Sequence, residues 1–210
     1  MDDKIKKTIE ALKSNGFGVW FAGSRFEAED LFWKEIYNKI NPAVLSWGDS
    51  LTLHSLGIIP KLRELRGVEL IETFGDNFTW KDKIIKRRRA LSSDMFLTGT
   101  NAVTMKGQLV NLDMVGNRVA GITFGPHNVV IFVGINKIVE GIEEAMDRIR
   151  TTAAPMNAKR HPYFKTPCQV TGKCMDCSSP QRICNTWTIT EKSFPVGRIK
   201  VILINEQLGY

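Results

Sequence analysis

Apolar residues recur along the chain with two alternating periods, one helical and one extended. Ile5, Ile9 and Leu12 fall at helical spacing within residues 2–14, and Gly16 follows as a stop. The short apolar run Gly18–Ala22 predicts a strand. Ser24, with Glu27 three residues on, has the form of a capping box. It opens a helix carrying Phe26, Leu31, Phe32, Ile36 and Ile40, which Asn41-Pro42 ends. Val44–Trp47 predicts a second strand, residues 50–65 a helix broken around Gly57 and Pro60, residues 68–73 a third strand and residues 80–92 a further helix.

Two runs then stand out, residues 95–98 and 129–133, rich in Val, Ile, Leu and Phe and bounded by Gly and Asn. The first empties into Gly99-Thr100-Asn101 and the second into Gly134, Asn136 and Lys137. Between them, residues 107–111 and 117–123 on either side of Gly116-Asn117 predict an inserted antiparallel β-hairpin. Residues 138–154 predict an amphipathic helix with Ile138, Ile142, Ala145, Met146 and Ile149 on one face, interrupted at Pro155 and continued by a short turn to Arg160. Residues 162–184 are rich in Cys, Pro, Gly and Ser without an apolar period and predict a loop. Residues 187–190 and 199–204 return as two strands.

Alternation of helix and strand over residues 2–154 predicts an α/β fold, with a mostly parallel sheet covered by helices on both faces. The division expected is an α/β domain over residues 1–161, and a Cys-rich C-terminal loop plus two strands over residues 162–210, packed on the same domain. In open sheets of this kind ligands bind beyond the carboxyl ends of the strands. The small and amide-bearing residues at two such ends therefore predict a pocket.

Four groups of residues could carry chemistry. Gly48-Asp49-Ser50-Leu51-Thr52 is a strand end, a turn and a helix start, suited either to an anion or to plain capping by Asp49 or Ser50. In the basic helix, Arg88 shares a stripe with Ile84, Ile85 and Leu91, where an arginine either snorkels outward or meets a buried anion. A third set, Thr100, Asn101, Thr104, Asp113, Asn117, Arg118, Asn136 and Lys137, gathers around the strand ends, although Gly116-Asn117 and Asn101 also suit simple turns. The fourth is Cys168, Cys174, Cys177 and Cys184, whose central Cys-x2-Cys lets two thiolates share one metal. Its outer spacings of five and six match neither the usual zinc pattern nor the usual iron–sulfur pattern. An iron–sulfur cluster, a zinc ion, disulfides and reduced thiols all remain open. His54, His127 and His161 have no partner at metal-ligand spacing and are expected to be structural or exposed. No Ser-His-Asp set, P-loop or dinucleotide fingerprint is present.

The formal charge of +7 is spread along the chain without an aromatic-interleaved basic patch. It favours a small anionic metabolite, or a solvated surface, over nucleic acid. No apolar run has the roughly 20 residues a membrane-spanning helix needs. Neither membrane insertion nor a leader is expected, and the location expected is the cytoplasm. The tryptophans Trp20, Trp33 and Trp47 are candidates for a surface on which two copies pair into a homo-oligomer.

The stretches DMFLTGTNAVT at 94–104, GNRVA at 116–120 and GINKIV at 134–139 resemble the lactate-utilisation (LUD) domain family. The likeness covers nearly the whole chain, and PCQVTGKCMDCSSPQRICN at 167–185 resembles the cysteine-bearing tail of one branch. The resemblance implies the fold of the sugar-phosphate isomerase and coenzyme A transferase superfamily. It also implies a role beside iron–sulfur partner subunits in organic-acid oxidation of the lactate type. It puts Gly48, Asp49, Ser50 and Thr52 together with Gly99, Thr100, Asn101, Thr104, Asp113, Asn117, Arg118, Gly134, Asn136 and Lys137 around one substrate cleft. Two departures matter. Thr100-Asn101 stands where the isomerases carry acids after the equivalent of Asp94, and nothing matches the glutamate nucleophile of the transferases. The expectation is a protein that binds a small anionic metabolite. The rivals are a non-catalytic scaffold or electron-transfer subunit with a structural metal, and an isomerase or acyl transferase using other residues.

Overall fold

The structure, a computed structural model, describes residues 1–75 and 77–210. Its strands are β1 (Gly18–Ala22), β2 (Val44–Trp47), β3 (Glu69–Ile71), β4 (Met95–Gly99), β5 (Ala102–Thr104), β6 (Leu109–Asp113), β7 (Asn128–Gly134), β8 (Ile138–Val139), β9 (Thr186–Thr190) and β10 (Ile199–Ile204). Its α-helices are α1 (Asp3–Ser14), α2 (Arg25–Leu31), α3 (Asn38–Ile40), α4 (Leu51–His54), α5 (Ile58–Arg63), α6 (Trp80–Ala90), α7 (Asn117–Thr123), α8 (Ile142–Arg148), α9 (Ala154–Lys159) and α10 (Pro167–Thr171).

Six strands form one parallel sheet in the order β1-β10-β7-β4-β2-β3. Its central strands are buried on both faces, so their side chains alternate between two cores. Val129, Ile131 and Val133 of β7 join Ile199, Val201 and Leu203 of β10 in the core under α1. Val130, Phe132, Ile202 and Ile204 point the other way, into the core under α2, α4 and α5. A second sheet, β8-β5-β6-β9, lies against the first and carries α8 on its outer side. The α/β architecture expected from the sequence is therefore present, with helices on both faces of the parallel sheet. Residues 162–210 supply strands to both sheets, and β10 fills the gap between β1 and β7.

Four expectations are corrected. Residues 117–123 form α7 rather than the second arm of a hairpin; β6 pairs antiparallel with β5 on one side and β9 on the other. Seven residues are too few for Val119 and Ile122 to reveal a period, and Gly121 decides the outcome. A Cβ there would lie 2.7 Å from the Phe96 ring, so only glycine lets the helix sit directly on β4. Ile138 belongs to β8, and the helix begins only at Ile142. Pro155 does not interrupt that helix. The turn before it, Ile149–Ala153, widens to π geometry and absorbs the missing N–H, and α9 continues in line. A similar π stretch, Phe32–Tyr37, joins α2 to α3. Trp47 is buried at 2% exposure, and Trp20 and Trp33 are half-buried against the same core, so the tryptophans do not form an open pairing surface.

Candidate functional site

Because β2, β4 and β7 are parallel neighbours, their carboxyl ends bring Gly48, Gly99 and Gly134 to one edge of the sheet. Glycine is required there by crowding. A Cβ on Gly48 would stand 2.9 Å from Thr98 Oγ1 and 3.0 Å from Arg118 Cγ, and one on Gly134 would stand 2.6 Å from the Glu206 carbonyl. Above these tips opens a cleft of about 520 Å³. Of the residues nominated from the sequence, Asp49, Ser50, Gly99, Thr100, Asn101, Asp113, Asn117, Arg118 and Lys137 line it. Thr52 and Asn136 lie just behind the lining and hold it in place. Thr104 is turned away, with its hydroxyl paired to Gln108.

The local chemistry of Gly48–Thr52 is that of a cap. Ser50 Oγ accepts from the Leu53 N–H at the start of α4, a helix of only four residues. Asp49 pairs with His54 at 3.1 Å and with Arg160 at 3.5 Å. Burial pulls the Asp49 carboxyl up, but the His54 hydrogen bond and the Arg160, His54 and His161 charges together bring it below the ordinary value.

Arg118 is the hub of the cleft wall. Its Nε meets Asp113 at 3.2 Å. Nη1 donates to the Gly99 carbonyl and to Asn111 Oδ1, and Nη2 to Asn101 Oδ1 and the Leu112 carbonyl. Four hydrogen bonds from the Nη atoms and the ion pair at Nε make Arg118 a brace between β4, β6 and α7. Asn111, buried and absent from the sequence-based set, receives Thr100 Oγ1, the Asn101 N–H and Arg118 on its single oxygen.

Lys137 sits on the cleft floor at 5% exposure. Its Nζ donates to Thr52 Oγ1 at 3.0 Å and to the Thr100 carbonyl at 3.3 Å. Among the described residues no carboxylate lies within ion-pair distance of it. Burial, and then the charges of Arg148 and Arg118, lower its pKa from the ordinary 10.5 to about 7. Between these two values the unfolded chain binds a proton that the folded chain lacks, so Lys137 makes stability rise with pH from about 7 to 10.5. Urea melts across that window should show the rise in the wild type and a flatter profile in Lys137→Met.

Several cleft residues were not legible in the sequence. Arg87, rather than Arg88, faces the opening: its guanidinium stacks 5.3 Å from the Trp80 ring and 5.6 Å from the Phe74 ring, and its buried Nε has no partner among the described residues. Arg88 is exposed. Arg148 holds the Asn101 and Asn136 carbonyls from behind. His161 lines the cleft with Tyr163, Phe164 and Ile183. Burial, followed by the Arg160 charge, lowers its pKa against an opposing pull from Asp49. The segment 205–210 folds back over the strand tips, with the Leu208 N–H on Asn136 Oδ1 and the Leu208 carbonyl accepting from Thr52 Oγ1. Lys83, Arg87, Arg118 and Arg160 face the cleft against two side-chain carboxylates, Asp49 and Asp113, so its field favours an anion even with Lys137 neutral.

The four cysteines are half-buried free thiols, and all four line one small cavity beside the cleft, with Ile183 in the wall shared by both. Burial raises the Cys184 thiol, and Arg182 opposes the rise. Among the described residues no three His, Cys, Asp or Glu side chains are drawn together closely enough to hold a metal ion. The thiols share a cavity without forming a closed ligand shell.

Parallel strands whose carboxyl ends open on a cleft define an α/β domain. The LUD domain model matches residues 5–204, and the chain belongs to that family. A crystal structure of a DUF162 family protein from Deinococcus radiodurans is similar over 97% of both chains, with a TM-score of 0.52 and 13% identity, a likeness of fold. Ribose 5-phosphate isomerase from Plasmodium falciparum aligns over 65% of this chain and 54% of its own, with a TM-score of 0.28 and 14% identity. No curated protein matches the sequence. Among the described residues no helix is long and apolar enough to cross a membrane.

Proposed function

We propose that this LUD-domain protein binds a small carboxylate metabolite, of the 2-hydroxy or 2-oxo acid class, in the cleft at the strand tips. Its role is then a step in cytoplasmic organic-acid oxidation of the lactate type, beside iron–sulfur partner subunits. The observation that carries the reading is the unequal charge of the cleft, where cationic side chains converge on a floor that holds Lys137 without a carboxylate partner. Arg118 positions Asn101 and Asn111 rather than meeting the ligand, since its four Nη hydrogen bonds and its ion pair to Asp113 are all made within the protein. Arg87, which lines the cleft and makes no ion pair among the described residues, is the group that receives the carboxylate.

Calorimetric titration with lactate and pyruvate tests this. Saturable binding is expected, about tenfold weaker in Arg87→Ala, the loss of one charge-assisted hydrogen bond. No heat with either acid, in protein that melts cooperatively, would remove the reading.

The Cys loop is proposed to take one metal ion or iron–sulfur cluster once the segment around Cys174 and Cys177 closes on Cys168 and Cys184. Four thiols on one cavity support it. Such a group would staple the segment that supplies Tyr163, Phe164 and Ile183 to the cleft. Anaerobically purified protein should contain stoichiometric zinc, or iron with sulfide. Metal-free protein with four titratable thiols would contradict this part alone.

A further inference from the structure

Lys137 occupies a place where an ammonium fits poorly and an amine fits well. The Thr52 hydroxyl donates its only hydrogen to the Leu208 carbonyl, so Thr52 Oγ1 can meet Lys137 only as an acceptor. The Thr100 carbonyl is the second acceptor. Two acceptors match the two N–H groups of a neutral amine and leave its lone pair unshared. A protonated Nζ would carry a third N–H without a protein partner, beside Arg118 and Arg148 and without a carboxylate in reach. The chain folds closely over one side of the amine, since a Cβ on Gly209 would lie 3.1 Å from Nζ. The other side lines the cleft.

We infer that Lys137 is a nucleophile that forms an imine with the carbonyl carbon of a 2-oxo acid bound in this cleft. The inference rests on the proposed binding of small carboxylates there and deepens it by naming the carbonyl class. The Nζ lone pair attacks C2, and the carbonyl electrons move onto oxygen, which takes one N–H proton to give the carbinolamine. The C–O bond then breaks and hydroxide leaves with the remaining N–H proton as water, giving C=N. The balance needs no oxidant or further reactant. A 2-oxo acid is favoured over a simple ketone because its carboxylate, one bond from the imine carbon, brings the negative charge the floor lacks when the imine is protonated. Desolvation of the amine by its neighbours is the general device for activating such a lysine.

The test is borohydride reduction of the full chain with pyruvate, read by intact mass and by peptide mapping, with calorimetry on the same samples. Expected is one reduced pyruvate adduct on the peptide containing Lys137, absent in Lys137→Met, a substitution that keeps an unbranched apolar stem and removes the amine. Adduct spread over other lysines, equally in wild type and Lys137→Met, would overturn the inference. So would saturable pyruvate binding by calorimetry without any trapped adduct, an outcome that leaves the carboxylate cleft standing. Neither heat nor adduct from folded protein would overturn both.

Discussion

Arg118→Ala is expected to destabilise the protein by about 3–5 kcal/mol, the range for removing one member of a buried ion pair. In a chain of this size that lowers the melting temperature by roughly 10 °C. The reason is the company the guanidinium keeps. Asp113 is left with a 9%-exposed carboxylate and no cation, and the Asn101 and Asn111 oxygens and the Gly99 and Leu112 carbonyls each lose a donor. Unmet buried acceptors cost more than the bonds contributed. Arg118→Lys should recover little, because an ammonium has three donors to set against five directions. Thermal melts of the three proteins decide the matter. A loss of less than about 1 kcal/mol on Arg118→Ala, the range of exposed ion pairs, would mean that the hub is solvated.

The second large effect is expected at Gly134. Its added Cβ would meet the Glu206 carbonyl and Asn136 Oδ1 at 2.6 Å and the Leu208 N–H nitrogen at 2.8 Å, and two of these three atoms are backbone. Relief requires segment 205–210 to lift off the strand tips. That breaks the Leu208 contacts to Asn136 and Thr52 and leaves the Thr52 hydroxyl hydrogen free to turn toward Lys137. Gly134→Ala should therefore cost about 1–3 kcal/mol, as overpacking does, and weaken carboxylate binding as well. Gly141→Ala, where an added Cβ meets nothing within 4 Å, is the matched control. Equal melting temperatures and affinities for the two variants would show that the tail does not rest on β7 as described.

The strand tips were legible because burial on both faces leaves a recognisable trace. Runs such as residues 129–133 are apolar without alternation, and the chain can turn out of them only at small residues. Gly48, Gly99 and Gly134 end three adjacent strands for that reason. Arg118 and Asp113 could be nominated, but not their pairing, since the hydrogen-bond network that joins them exists only after β4, β6 and α7 have packed. Asn111 did leave a signal. An amide inside the apolar run Leu109–Asp113 has to find partners, and here it collects three donors on one oxygen. Arg87 was hidden because α6 has a weakly apolar buried face, so the stripe through Ile84, Ile85 and Leu91 pointed to Arg88 instead. Ile85 is itself 55% exposed. The tail 205–210 carries no period at all, and its contribution to the floor depends on β10 lying between β1 and β7, a crossover that local pattern does not encode. His161 reaches the cleft, and Arg148 the carbonyls behind it, from segments distant in sequence.

The most direct measurement of the central claim is a crystal structure of the protein grown with pyruvate. Electron density for the acid is expected on the floor of the cleft, joined to or touching Lys137 Nζ, with its carboxylate turned toward Arg87. Density for the acid elsewhere on the surface, with the floor around Lys137 holding only solvent at saturating pyruvate, would contradict the account.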